Sequence, residues 1–221
     1  MKRGLLSAVF TLAVSLTLLA ASVYLLGTND ALMCRLMERH APPEATGLPA
    51  AEYPGVVQMT TGYLRDETAH FQYTYAIGSA ACRAFNEKEQ RHMADVQGLF
   101  RLARRVLVYG SIALLSLLAI ALKLGGRGLL RDIRNGLIVI LALAGIIAIW
   151  AAADFDSLFI LFHQIAFTND LWWLDPRTDL LIRLMPTDFF VSYAALIGGA
   201  WTTAMGLAAL MTHLLVKERN K

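Results

Sequence analysis

Two short clusters hold most of the residues in this sequence that can move protons. The first reads Phe85-Asn86-Glu87-Lys88-Glu89, then His92-Met93-Ala94-Asp95-Val96. The second reads Phe162-His163-Gln164, then Phe167-Thr168-Asn169-Asp170, then Trp172-Trp173-Leu174-Asp175-Pro176-Arg177-Thr178-Asp179. Histidine is the side chain best suited to take and return a proton near neutral pH. His92 and Asp95 stand three residues apart, so on a helix they share a face. Asn86 and Asn169 offer amide donors, and Asp95, Asp170 and Asp175 offer carboxylates that can orient an imidazole tautomer. Two histidines with such helpers suit acyl or ester transfer: one ring as base and acid, the other as support for an oxyanion.

Plainer roles compete for several of these residues. Asn86 followed by Glu89 has the form of a helix start, with Asn86 as N-cap and Glu89 at the third position. Asp175-Pro176 has the same form, with a short amphipathic helix expected over Leu180–Leu184 and broken at Pro186. Trp172 and Trp173, like Tyr53, Tyr63, Tyr73 and Tyr75, have the composition of a membrane-interface belt. His40, His70 and His213 stand outside both clusters. No His-x-x-x-His or Glu-flanked pair occurs, so no metal ligand set is expected. Neither a Gly-x-Ser-x-Gly elbow nor a phosphate-binding glycine loop is present, and neither cysteine has the flanks of a nucleophile.

The elements that must position the clusters follow from hydropathy. Hydrophobic residues make up 57% of the 221 and charged residues only 17%. A soluble domain runs near half apolar and a quarter charged. The excess falls in four blocks, at about 5–26, 106–122, 136–153 and 190–216. Each is long enough to cross about 30 Å of hydrocarbon at about 1.5 Å per residue. The first exceeds a signal-peptide core and reads as an uncleaved helix. The expected fold is therefore an all-α integral membrane protein, a single membrane domain of four transmembrane helices. Segments 27–105 and 154–189 form a small extracytoplasmic cap, and 123–135 is a cytoplasmic loop. The helix opened by Asn86 is expected to run into the second span. Segment 41–54, rich in Pro, Gly, Ala and Glu, reads as an irregular loop.

Orientation rests on the basic residues of short loops. Lys2 and Arg3 precede the first span. Lys123, Arg127, Arg131 and Arg134 join the second and third, and Lys217, Arg219 and Lys221 close the chain. Segment 154–188 has only Arg177 and Arg183 against six Asp. Both termini are thus expected in the cytoplasm, with both clusters on the outer face. The first outer segment carries nine Lys or Arg, but long segments translocate regardless of charge. The net charge of +3 reflects this topology, and no nucleic-acid partner is expected. Cys34 and Cys82 would share the outer side, where one disulfide is allowed but not required.

Together, Phe85–Val96 and the stretch from Phe162-His163 through Asn169-Asp170, Trp172, Leu174-Asp175-Pro176, Thr178-Asp179, Pro186 and Phe189-Phe190 resemble the two signature blocks of the bacterial lipoprotein intramolecular transacylases. The four-span layout with its long first outer segment is similar too. The resemblance implies an acyltransferase of the cell membrane acting on diacylglyceryl-modified lipoproteins. It would move the sn-2 acyl chain from glyceryl oxygen to the α-amino nitrogen of the same N-terminal Cys, leaving a lyso-form lipoprotein. It implies His92 and His163 as the catalytic pair. Amine and ester reside on one substrate, so positioning replaces an external cofactor. Membrane lipid and the lipoprotein are the partners, and a monomer is the default oligomeric expectation. Two other readings remain open: a membrane-embedded lipid ester hydrolase, and a non-catalytic lipid- or lipoprotein-binding membrane protein.

Overall fold

The computed structural model describes residues 2–124 and 126–218. Nine α-helices occur among them: α1 (Lys2–Gly27), α2 (Asp30–His40), α3 (Pro43–Thr46), α4 (Tyr53–Leu64), α5 (Glu87–Leu124), α6 (Arg127–Ala153), α7 (Phe155–Ala166), α8 (Leu180–Leu184) and α9 (Thr187–Glu218). A 3₁₀ helix over Ala50–Glu52 and a single antiparallel hairpin, β1 (Thr74–Ile77) with β2 (Ala80–Arg83), complete the list among the described residues. α1, α5, α6 and α9 are long and apolar enough to cross a membrane. α5 has 38 residues, about 57 Å of helix, roughly twice the hydrocarbon thickness. Its first half, 87–105, carries eight charged residues, and its apolar stretch is 106–122. α6 likewise begins nine residues before its apolar block, at Arg127. Helical hydrogen bonding does not stop where charge begins.

The chain divides into two compact units, 1–23 with 103–154 and 197–221, and 24–102 with 155–196. In the first, Leu129, Ile133, Leu137 and Met205 form a buried cluster against Leu6, Phe10, Val14 and Trp201. Small residues let the helices approach. A Cβ at Gly136 would meet Thr11 Oγ1 at 2.8 Å, and one at Gly110 would meet Thr17 Oγ1 at 2.2 Å. Ser7, Thr11, Ser15 and Thr17 of α1 are buried while Leu5, Leu12, Leu115, Ile146 and Ile149 are exposed. Polar groups inward and aliphatic groups outward is the pattern of a bundle solvated by lipid.

In the second unit, α2 packs on α4. Asp30 accepts from Thr61 Oγ1 (2.6 Å) and Arg65 Nη1 (3.1 Å). Gln97 Nε2 donates to the Tyr63 carbonyl at 2.6 Å and ties α5 to α4. Segment 41–54 is not irregular. Pro43 opens α3, Gly47 ends it at φ 73°, and the Tyr53 hydroxyl bonds to the Ala41 carbonyl and Thr46 Oγ1. Proline and glycine there occupy the helix-start and left-handed helix-end positions that suit them. Tyr53 and Tyr63 lie in this core, not in a headgroup belt. The Tyr53 hydroxyl is taken up by Ala41 and Thr46, and the Tyr63 ring packs against Phe71. Cys34 and Cys82 are free thiols.

Candidate active site

All the candidate residues fall in the second unit. Asn86 opens α5 as its spacing predicts. Its Oδ1 accepts from the Glu89 N–H (3.0 Å), and Glu89 Oε2 accepts from the Asn86 N–H (2.7 Å). That reciprocal box fixes the first turn. One turn on, His92 and Asp95 share a face of α5. α7 supplies His163, which a sequence reading of 154–189 as one loop did not place on a helix. Asp154 ends α6 and α7 begins at the next residue.

His92 and His163 meet, with ring centroids 6.2 Å apart. Both are buried, at 7% exposure each. His163 Nδ1 lies 2.7 Å from the Phe159 carbonyl. A carbonyl only accepts, so Nδ1 carries the proton and Nε2 of the neutral ring presents its lone pair. Nε2 has no hydrogen-bond partner among the described residues. Four aromatic rings surround the imidazole of His163, with centroids at 4.1 Å (Phe159), 5.0 Å (Trp172), 5.3 Å (Phe162) and 5.5 Å (Phe167) from its own. Trp172 therefore packs on the site; a lone interface-anchor reading misses this because stacking depends on tertiary contact. Phe167 also touches His92 edge-on at 5.3 Å. His92 Nδ1 is buried without a partner among the described residues.

Burial pushes His92 down to about 4; His163 and Lys88 act in the same direction, and Asp95 opposes them. Burial also lowers His163, against the hydrogen bond to Phe159, which raises it. Both rings are neutral at pH 7. As pH falls through about 6.5, unfolded rings take protons that the folded ones refuse, so the fold loses stability toward acid.

The remaining candidates divide. Asp95 does not bond to either imidazole among the described residues. Its Oδ2 accepts from Asn169 Nδ2 at 2.9 Å, and Asn169 Oδ1 accepts from the Leu171 N–H at 3.0 Å. This pair braces the 167–179 segment onto α5. Asn169→Asp replaces the donor with a second carboxylate, and is expected to lower stability by about 1–3 kcal/mol. Thermal unfolding in detergent would check it, and an unchanged midpoint would count against the brace. Asp170 sits exposed in a turn, its carbonyl accepting from the Trp173 N–H. Asp175 is held by Arg177, Oδ2 to Nη2 at 2.6 Å, and the same guanidinium lowers its carboxyl to about 2. It closes a turn rather than capping α8, whose N-cap residue is Asp179. The Asp-Pro spacing to Leu180 is too long for a direct cap, and the intervening residues form that turn.

Two carboxylates matter more than the sequence suggested. Asp179 is buried at 3% exposure and accepts from Asn86 Nδ2 (2.8 Å), Thr178 Oγ1 (3.0 Å) and the Asp175 N–H (2.8 Å). Burial would raise its carboxyl, but these bonds and Lys88 bring it below the ordinary value. Glu89, 1% exposed, also accepts from the Leu181 N–H at 2.6 Å. Burial raises its carboxyl, against the N–H groups of Leu181 and Asn86. The Asn86-x-x-Glu89 box was the one local signal of this latch.

Four long apolar helices and a buried, neutral histidine pair define an integral membrane protein with a site suited to acyl-transfer chemistry. Residues 8–190 match the family described as "Lipoprotein intramolecular transacylase Lit", and the chain belongs to that family. Its fold is similar to the in meso structure of the membrane-integral transacylase Lit from Bacillus cereus. The TM-score is 0.80 at 18% identity, over 99% of this chain and 98% of that one. Two further structures of the Bacillus cereus protein, with one histidine replaced by Arg or by Ala, match at TM-score 0.75 and 18% identity. They cover 99% of this chain and, respectively, 94% and 96% of theirs. No curated protein matches the sequence.

Proposed function

We propose that this protein moves the sn-2 acyl chain of a diacylglyceryl-modified lipoprotein to the α-amino group of the same N-terminal Cys. The product is a lyso-form lipoprotein. The observation that carries the reading is the meeting of His92 and His163 as buried neighbours, with His163 Nε2 free to accept a proton. The neutral amine attacks the ester carbonyl. As the C–N bond forms, the N–H proton passes to His163 Nε2. His92 supports the oxyanion by donating an N–H. Collapse breaks the bond to the glyceryl oxygen, which takes the proton back from His163. Asn86, Asp95, Asn169, Asp170 and Asp175 act as supporting residues through the caps, brace and turns around the pair. We place the site on the outer face of the cell membrane, with both termini cytoplasmic, on the strength of the basic short loops.

Mass spectrometry of a lipoprotein N-terminal peptide tests the reaction, in cells lacking other N-acylation. The intact protein should yield N-acyl, lyso-glyceryl Cys, and His92→Ala and His163→Ala should not. A free amine with released fatty acid would instead mark a hydrolase.

The pH dependence is a separate test. Substrate amine deprotonation, near pH 8, gives kcat/KM a slope of one below that pH. The slope should steepen to two only below about 6.5, because burial lowers His163. A bend at or above 6.5 would contradict a buried base.

A further inference from the structure

His163 is neutral at rest but must become an imidazolium while it holds the amine proton. No carboxylate bonds to it among the described residues. His92 is the titratable group facing it from α5, and Asp95 and Lys88 of that helix act electrostatically on His92. On α7 itself, Asp156 lies about two turns back. α9 brings Phe190, against Phe159, and the 167–179 segment brings Phe167 and Trp172, none of them charged. Trp172 lies with its ring plane 36° from the imidazole and its centroid 5.0 Å away. That is within the range in which an indole face attracts a cation, and tryptophan is the strongest aromatic partner, more so when water is excluded. Trp172 is in turn flanked edge-on by Trp173 at 5.3 Å, whose carbonyl accepts from Lys88 Nζ.

We infer that Trp172 is a positioning residue whose indole face stabilises the imidazolium form of His163, standing in for the missing carboxylate. The role in turnover rests on His163 being the base; the interaction itself does not. Titration of the ¹⁵N-labelled imidazole of His163 by NMR in detergent measures it without any activity assay. Trp172→Leu should move the His163 midpoint down by about 0.5–1 pH unit, and Trp172→Phe by less. An unchanged or raised midpoint in Trp172→Leu would overturn the inference. Should that variant not fold, graded fluorination of tryptophan in the intact chain keeps ring shape while draining the π face. The midpoint should then fall stepwise with fluorine count, and a flat series would overturn the inference. If the midpoint shifts but His163→Ala still forms the N-acyl product, the indole contact stands and the assignment of His163 as base falls.

Discussion

His163→Ala is expected to lower the transacylation rate by about 10²–10⁴-fold, the range that a positioned general base supplies. The loss should fall on kcat, since the free Nε2 lone pair matters when the proton moves and contributes little to holding two acyl chains. His92→Ala should cost about 10²–10³-fold, the cost of losing one oxyanion donor. The double replacement should be little worse than His163→Ala, because residues acting on one transition state are not additive. Initial rates on a purified diacylglyceryl lipopeptide in vesicles, with folding checked by unfolding midpoint, give all three values. A His163→Ala protein that is folded and keeps a third of the rate would remove His163 from the mechanism.

Glu89→Ala is expected to be the most destabilising single replacement at the site. Glu89 caps two helices at once: its own through the Asn86 N–H, and α8 through the Leu181 N–H. The N-cap residue of α8, Asp179, makes no capping bond of its own with its side chain. Alanine leaves the buried Leu181 N–H without its acceptor, at about 1–3 kcal/mol, and removes the cap on the part-buried Asn86 N–H, at about 0.5–2 kcal/mol, so a loss of about 1.5–5 kcal/mol follows. Glu89→Gln keeps one acceptor and turns its amide toward the other donor, so it should fall between. Unfolding midpoints in detergent order the three proteins. Glu89→Ala equal to the intact chain would mean that water replaces the carboxylate and that the latch is not structural.

The sequence by itself determined the elements that depend on neighbours along the chain. Four apolar blocks long enough to span hydrocarbon became α1, α5, α6 and α9, because hydropathy and length are local properties. Asn86 with Glu89 marked the start of α5, and the helix ran on into its apolar half. The short helix Leu180–Leu184 formed where its amphipathic pattern placed it. Segment 41–54 was less legible, because Pro and Gly mark irregular loops and helix ends alike; only the Tyr53 hydroxyl, bonded across it to Ala41 and Thr46, decides between them.

Only the tertiary structure decided how the histidines meet. His92 and His163 sit on separate helices, and no spacing rule gives the 6.2 Å between their rings. The tautomer of His163 follows from one carbonyl, that of Phe159, which sequence cannot aim. Trp172 became a wall of the site instead of a belt residue, and Asp95 turned to Asn169 instead of to an imidazole. Asp175 was taken up by Arg177, while Asp179, four residues later, was buried beside Asn86. The physical reason is common to all of these. A side chain's partner is set by which surfaces exclude water together, and that is a property of packed helices, not of the order of residues along one of them.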